Sequence, residues 1–525
     1  MIDALKKNKI FVALLLFGIF YLCKKSYGNA FDFYFWKDDW AWLWSANYNP
    51  EDFYHTTVGG TWLVRTGVLM RLYVLKLHRL IQDSYQWQVA GFCLKCINSI
   101  LFYFFIKSIT KKKYLAVIGA FLFASYSGGI ESYTWHKLNA VATGFVLLGF
   151  TFYHEFLRSL KLTRFLISYF FFICAFLSYM GRAAGLVPVA IFWGLLEIVK
   201  KDSKLDKFKV LLSVVVIALP YLLLIRIVTS VQKPTNNFYI DVFKQYDIFF
   251  GIVGNLLKNP FVRIDELGYL ANLDKLGFVL GLSLFILWGL IGLVYLRCRS
   301  EKLKYTLFFI GWIYMFYFPN WIWGGGGVLT TLGSGHRYLA VAGIGVVTLW
   351  VLFISSLTSR NALIATLVLL VLNLSYSDHL ISLESSVRNR YLVEPIYYEL
   401  NKAMEEDDDV QLIVIDTPNK LKSFVAGGWY PYTYAYYKGL TDIKKFPVVI
   451  AFWEYAAQWV CSNPEQKDDM QAVGGFGDNR NLEYLDIEHI YAWYLDVDGK
   501  LDNKTDQIRQ ITKECQDKRR ESGRI

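Results

Sequence analysis

Charged residues are scarce in this sequence, and their scarcity excludes an ordinary soluble domain. Only 19% of the 525 residues are Asp, Glu, Lys or Arg, whereas 55% are hydrophobic and 18% are aromatic. Cysteine is also sparse, and the seven cysteines lack the spacing of a metal site. Cys93 and Cys96 have CxxC spacing, but they lie inside an apolar segment, which disfavours a zinc or redox role. The composition indicates a polytopic α-helical membrane protein.

Apolar segments predict about eleven spanning helices. The first lacks the small-residue cleavage site of a signal peptide and is interpreted as an anchor. The approximate helix cores are residues 10–23, 87–106, 114–125, 138–156, 165–179, 183–199, 210–228, 276–296, 305–321, 338–354 and 362–374.

The distribution of basic residues predicts the orientation. The net charge is +11, and the basic residues concentrate in the short loops 107–113, 158–164, 200–209 and 297–304. These loops alternate along the chain as the positive-inside rule requires when the N-terminus is cytoplasmic. The charge is thereby explained without a nucleic-acid partner. The loops that contain residues 38–39, 128–139, 232–275 and 323–337 then fall on the outer face, and residues 61–80 are interpreted as an interfacial helix.

The composition becomes charged and soluble in character from about Tyr376. Val410–Asp416, Val448–Trp453 and part of Tyr484–Tyr494 have the β-branched and aromatic residues typical of strands. The sequence therefore predicts a transmembrane domain over residues 1–375 and a small extracytoplasmic α/β domain over residues 376–525. In an oxidising compartment Cys461 and Cys515 could pair.

Asp38 and Asp39 are the most informative residues of the chain. They lie among aromatic residues just after the first apolar segment, and adjacent carboxylates at a membrane edge are costly unless they are paired or functional. One carboxylate is a candidate general base, and the two together could hold a divalent cation such as Mg²⁺ or Mn²⁺. A structural pair that forms salt bridges with Arg65 or Lys37 is the alternative.

Three other outer segments carry candidate residues. Glu131, Trp135 and His136 share one loop, in which His136 is either a metal ligand or an interfacial hydrogen-bonding residue. A glycine-rich loop leads into Arg337 and Tyr338, and its backbone N–H groups suit an anion, although a flexible loop with a snorkelling arginine is the alternative. Arg182 is a further outer cation. No Walker loop or nucleotide fingerprint is present, so a lipid-linked donor is the natural expectation on this face.

In their order and common sidedness these motifs resemble the GT-C glycosyltransferases, including the dolichyl-phosphate-mannose–protein mannosyltransferases and ArnT-like enzymes. Residues up to about Leu374 carry the resemblance. The matching positions are the pair Asp38–Asp39, Glu131 with Trp135, and Arg337-Tyr338-Leu339. The sequence departs from the family where Arg65 precedes Thr66 instead of proline, and where Lys95 precedes Asn98 in place of histidine.

The resemblance implies an inverting hexosyl- or pentosyltransferase that uses a polyprenyl-phosphate-linked sugar. Asp38 or Asp39 would be the general base, and Glu131 would orient the acceptor or help to hold a cation. Arg65, Trp135, His136, Arg182, Arg337 and Tyr338 would bind substrates. The acceptor would be an extracytoplasmic glycan, lipid or protein, and the expected location is a bacterial inner membrane. Alternatives are a transporter or flippase of a lipid-linked saccharide, another lipid-dependent transferase, and a non-catalytic assembly subunit.

Overall fold

The protein is described by a computed structural model, which divides the chain into two compact units. The described residues are 2–36, 38–48, 76–135, 137–178, 183–231, 246–258, 260–261, 275–323, 339–417, 430–451, 453–462 and 485–521. The first unit comprises Met1–Phe31, Val58–Leu72 and Gln88–Glu384, and the second comprises Asp32–Thr57, Tyr73–Trp87 and Ser385–Ile525.

Helices dominate the chain as far as the end of the first unit. In chain order they are α1 (Ile2–Tyr27), α2 (Asp38–Tyr48), α3 (Ser84–Thr110), α4 (Lys113–Ser125), α5 (Glu131–Thr134), α6 (Lys137–Ser159), α7 (Leu162–Ser178), α8 (Leu186–Ile198), α9 (Lys204–Val231), α10 (Tyr246–Lys258), α11 (Lys275–Cys298), α12 (Glu301–Trp323), α13 (Ala340–Ile354) and α14 (Ser359–Arg388). Each apolar segment predicted from the sequence coincides with one of these helices.

Several of these helices are suited to cross a bilayer. In the described part of the chain, five segments are long and apolar enough: Lys9–Asp32, Ser84–Thr110, Lys137–Ser159, Lys275–Cys298 and Ser359–Arg388. Four shorter apolar helices, α4, α7, α8 and α13, accompany them. The chain is therefore an integral membrane protein. The number of about eleven crossings stays a prediction, because the shorter helices fall below the length of a full span.

Two features of the first unit differ from the expectation. Helix α10 lies inside the segment 232–275, which was expected to be a long outer connection. It packs closely on α11: a Cβ atom placed on Gly254 would lie 1.7 Å from the Gly277 carbonyl oxygen. Helix α14 runs without a break through the predicted boundary between residues 375 and 376. The assignment of residues 1–375 and 376–525 to separate functions stays a prediction.

The second unit contains the expected α/β fold. Its remaining elements are α15 (Arg390–Ala403), β1 (Leu412–Asp416), α16 (Tyr430–Lys438), β2 (Val448–Ile450), α17 (Trp453–Cys461), β3 (Ile490–Leu495), β4 (Leu501–Asn503) and α18 (Thr505–Glu521). The strand order is β2-β1-β3-β4, and β1 runs parallel to both β2 and β3. β4 is antiparallel to β3. The three predicted strands are thus β1, β2 and β3.

The hydrophobic core of this fold lies between the sheet and α17 and α18. Leu412 of β1, Ile450 of β2, Trp459 of α17 and Ile508 of α18 are buried in one cluster. Parallel strands need such helical cover because both of their faces are apolar. A disulfide between Cys461 and Cys515 joins the two covering helices. It suits an oxidising compartment such as the one expected outside the membrane.

Replacing Cys461 with Ser should destabilise the second unit. The disulfide closes a loop of 54 residues in sequence separation. Its loss should lower the free energy of unfolding of this unit by about 2–4 kcal/mol, because the unfolded chain gains freedom. Thermal unfolding followed by protease resistance of residues 385–521 measures the effect, and Cys298→Ser, an exposed free cysteine, is the control. Equal melting temperatures for the two variants would contradict the prediction.

Candidate functional site

The residues just before the acidic pair are fixed by backbone pairing within the second unit. Phe33 forms an isolated antiparallel bridge with Asn389. The Tyr34 N–H group donates a hydrogen bond of 2.8 Å to the carbonyl oxygen of Arg388. The chain that enters α2 is therefore held against the junction between α14 and α15.

Asp39 forms a reciprocal turn with Trp36 at the start of α2. The Asp39 N–H group donates to the Trp36 carbonyl oxygen at 2.9 Å. In return, the Trp36 N–H group donates to Asp39 Oδ2 at 3.0 Å. The spacing matches the reach-back bond of a capping box, and a carboxylate in the first turn also suits the helix dipole. Asp39 is 0% exposed, so it positions the start of the helix.

Asp38 occupies the first position of this helix, directly before Asp39. Its side chain lies outside the described residues. The fixed turn determines where the Asp38 backbone lies. Of the two carboxylates, Asp39 therefore has an observed structural role, whereas the role of Asp38 stays a prediction.

A buried arginine lies on the same turn. Arg388 is 1% exposed. Its guanidinium carbon lies 4.7 Å from the ring centroid of Phe33 and 5.2 Å from that of Trp36. Arginine stacks on aromatic rings through its planar, weakly hydrated cation, which stabilises a buried arrangement of this kind. Sequence reasoning missed Arg388, because it belongs to no motif and follows the last apolar segment.

One face of α2 is buried against other parts of the second unit. Trp40 and Trp44 are four residues apart, so they share a helix face. The Trp40 ring lies 5.5 Å from that of Tyr397 and 5.9 Å from that of Tyr437. The Trp44 indole N–H group donates to the carbonyl oxygen of Leu440 at 2.5 Å. The C-terminal segment thus holds the helix that carries the acidic pair.

The tyrosines around α2 are neutral hydrogen-bonding groups. The Tyr34 and Tyr437 hydroxyl groups are 3.0 Å apart. Burial raises the pKa of Tyr34 far above its ordinary value, and the neighbouring Tyr437 adds to the rise. Burial also raises the pKa of Tyr397. These phenols stay protonated at neutral pH, so the carboxylates are the better candidate bases here.

Tryptophan rings can stack on sugars or anchor a chain at the membrane interface, and α2 carries Trp40 and Trp42. Each is 2% exposed, and Trp42 packs edge-on against His78 with ring centroids 5.5 Å apart. His78 in turn packs on Trp87 at 4.2 Å. The packing explains both tryptophans as core residues of the second unit, with no ring face accessible to a sugar.

The first unit contains the second predicted acidic residue in a buried turn. Glu131 begins α5 and is completely buried. Trp135 ends this short helix, and its N–H group donates to the Glu131 carbonyl oxygen at 2.9 Å. Trp135 is also buried. The expected proximity of Glu131 to the acidic pair stays a prediction.

Helix α3 holds the Glu131 turn through Asn98, three residues after Lys95, which stands where the GT-C motif has histidine. Asn98 Nδ2 donates to the Tyr133 hydroxyl group at 3.2 Å and to the Ala140 carbonyl oxygen at 2.8 Å. The buried Lys95 Nζ donates to Ser26 Oγ at 2.6 Å. Asn98 therefore fastens α5 and the start of α6 to α3, and Lys95 ties α3 to α1.

Comparisons with known proteins are limited. No protein-family model matches the sequence, and no curated protein matches it either. Among solved structures, the archaeal oligosaccharyltransferase AglB from Archaeoglobus fulgidus, in complex with an inhibitory peptide and a dolichol-phosphate, is similar over 93% of this chain and 69% of that chain. The sequence identity is 11% and the TM-score is 0.48. At these values the similarity carries no conclusion about activity.

Five predicted binding residues lie outside the described residues, and their roles stay predictions: Arg65, His136, Arg182, Arg337 and Tyr338. Among the described residues, no group of three or more His, Cys, Asp or Glu side chains is placed to hold a metal ion. The described residues therefore do not form a complete site for the divalent cation expected at Asp38 and Asp39, and that cofactor stays a prediction.

Replacing Asp39 with Ala should destabilise the protein more than replacing it with Asn. Alanine leaves the buried Trp36 N–H group without its acceptor, whereas asparagine retains a carbonyl oxygen. The expected loss for Ala is about 1–3 kcal/mol, since a buried donor then lacks a partner. Thermal unfolding in detergent measures it, and Asp202→Ala, an exposed loop carboxylate, is the control. If Asp39→Ala unfolds at the same temperature as wild type, the Asp39–Trp36 turn does not stabilise the protein.

Proposed function

We propose that the chain is a membrane-embedded glycosyltransferase of the GT-C type. It would transfer one sugar from a polyprenyl-phosphate donor to an extracytoplasmic acceptor. The observation that carries the proposal is the acidic pair at the start of α2, on a turn fixed by Asp39 and Trp36, directly after the first apolar helix. A carboxylate held rigidly at a membrane edge is suited to proton abstraction from an acceptor hydroxyl group.

In this proposal Asp38 is the general base and Asp39 is a positioning residue. Asp39 Oδ2 is engaged by the Trp36 N–H group, and the side chain is buried. A base must reach the proton that it removes, which favours the neighbouring carboxylate. The division of roles narrows the sequence-based expectation, in which either aspartate served as the base.

The reaction would be a single displacement at the anomeric carbon. Asp38 accepts the proton of the acceptor hydroxyl group, and the oxygen forms a bond to the anomeric carbon from the face opposite the phosphate. The bond between the anomeric carbon and the phosphate oxygen breaks, and that oxygen retains the electron pair. The products are the glycosylated acceptor, with inverted configuration, and polyprenyl phosphate.

Cationic residues would stabilise the charge that develops on the leaving phosphate. Arg337 and Arg182 are proposed for this role, with Tyr338 and Arg65 in the donor site. Glu131, Trp135 and His136 are proposed to bind or orient the acceptor, which is a glycan, a lipid or a protein. Asn98 holds the buried Glu131 turn in place, so this turn could form one rigid wall of the acceptor site.

The proposed location is a bacterial inner membrane with the N-terminus in the cytoplasm. The positive-inside distribution of the loops supports this orientation. The disulfide between Cys461 and Cys515 supports an extracytoplasmic position for the C-terminal segment, because such bonds persist in oxidising compartments. Asp38 and Asp39 are also the proposed ligands of Mg²⁺ or Mn²⁺.

Transfer of a labelled sugar tests the function. Membranes that contain wild type, Asp38→Asn or Asp39→Asn receive a panel of polyprenyl-phosphate sugars, with and without EDTA. Asp38→Asn should lower transfer by at least about 10²-fold, because the general base is lost. Asp39→Asn should retain more activity, since its amide oxygen can still accept the Trp36 hydrogen bond. Loss of transfer in EDTA would support a requirement for a bound divalent cation.

Equal protein levels and melting temperatures are the control for each variant. Unchanged activity in both Asp38→Asn and Asp39→Asn would contradict the carboxylate mechanism. If folded wild type transfers no sugar from any donor but moves a lipid-linked saccharide across vesicle membranes, the chain is a flippase instead.

A further inference from the structure

A cavity in the first unit lies at the opposite end of α6 from the Glu131 turn. Its volume is about 700 Å³, and residues at the ends of α3, α6 and α7 line it. His154 on its wall is 17 residues along α6 from Lys137, which corresponds to about 25 Å at the rise of an α-helix. The cavity is thus separate from the Glu131 turn.

Five basic side chains line this cavity. They are Lys107, Lys111, Arg158, Lys161 and Arg164. Glu155 is the one acidic side chain in the described lining, and it pairs with Arg164 at 2.9 Å. Within the described part of the chain, Lys107, Lys111, Arg158 and Lys161 have no carboxylate within ion-pair distance. Four solvent-exposed cations therefore line one cavity without an ion-pair partner among the described residues, which favours an anion.

His154 gives independent evidence of a polar ligand. It is 1% exposed, lines the cavity, and stacks at 5.1 Å on Trp193. Neither ring nitrogen has a hydrogen-bond partner among the described residues. Buried polar groups are almost always hydrogen-bonded in native proteins, because an unsatisfied one is costly. A ligand oxygen or hydroxyl group in the cavity would satisfy this imidazole.

Part of the remaining lining is apolar. Phe104, Leu148 and Phe152 belong to it. Phe104 is 49% exposed on α3, one of the helices long enough to span the bilayer. An apolar side next to a cationic mouth matches a molecule that has hydrocarbon at one end and negative charge at the other.

We propose that this cavity binds the phosphate-bearing headgroup of an anionic lipid of the cytoplasmic leaflet. The cations contact the phosphate, His154 hydrogen-bonds to the headgroup, and the acyl chains lie along Phe104 and Phe152. The positive-inside rule alone accounts for basic residues in cytoplasmic loops. It does not explain why loops from two different helix connections line one cavity with a buried imidazole on its wall. Basic pockets between spanning helices have the chemistry that lipid phosphates require.

Lipid retention by the purified full chain tests the proposal. The protein is prepared in a neutral detergent and titrated with phosphatidylglycerol, with phosphatidylcholine and with inorganic phosphate. Bound lipid is counted by native mass spectrometry, and the melting temperature is recorded in parallel. The test variant is Arg158→Gln with Lys161→Gln. The matched control is Lys112→Gln with Lys113→Gln, which removes the same charge from an adjacent exposed stretch outside the cavity lining.

Wild type and the control should retain phosphatidylglycerol in preference to phosphatidylcholine. The test variant should bind it about tenfold or more weakly, because two phosphate-contacting cations are lost. Equal weakening in test and control variants would show diffuse attraction and overturn the proposal. Saturation by inorganic phosphate alone, with no lipid preference, would assign the cavity to a free anion and overturn the lipid assignment.

The variant His154→Phe separates a ligand contact from a packing role. Phenylalanine fills the same space and removes the buried polar atoms, so protein stability should be retained or increased. Under the proposal, phosphatidylglycerol binding by this variant falls several-fold at unchanged or higher melting temperature. Undiminished phosphatidylglycerol binding by a folded His154→Phe protein would show that His154 does not contact the headgroup. That result would overturn the proposal.

Discussion

The burial of the Asp39 carboxylate is the constraint on which the candidate site depends. A buried carboxylate is costly unless hydrogen bonds compensate for lost water, and here the Trp36 N–H group supplies one to Oδ2. The Asp39 N–H group closes the same turn on the Trp36 carbonyl oxygen. These two bonds fix the turn at the start of α2, and the backbone position of Asp38 follows from it. Arg388, stacked on Trp36, adds a buried positive charge beside this turn.

The C-terminal segment helps to hold the helix that carries this turn. Trp40 and Trp44 pack α2 against residues that are some 350 to 400 positions later in the sequence, including Tyr397 and Leu440. The segment is thus part of the support for the acidic pair as well as an α/β fold with its own core. A site presented on such a scaffold keeps its geometry better than one on a free loop. The support is aromatic burial, which this tryptophan- and tyrosine-rich chain supplies in several contacts.

Much of the fold could be predicted because its signals are local. Apolar segments located the helices, and β-branched residues located β1, β2 and β3. Helix α10 was missed because a 13-residue amphipathic helix lacks the length of a span, and its packing depends on Gly254 meeting a distant backbone. Arg388 and the burial of Trp40 and Trp42 were unpredictable for a similar reason. Each results from contacts distant in sequence, whereas Asp39 and Glu131 were noticed because buried or interfacial carboxylates are rare.

The most direct test of the central claim is an experimental structure with a non-transferable polyprenyl-phosphonate sugar bound. The anomeric carbon should lie near the start of α2, with the phosphonate on the side of the sugar that faces away from Asp38. Asp39 should remain bonded to Trp36 in that complex. A sugar bound far from the Asp38 carboxylate, for example beside His154, would contradict the claim that the acidic pair forms the catalytic site.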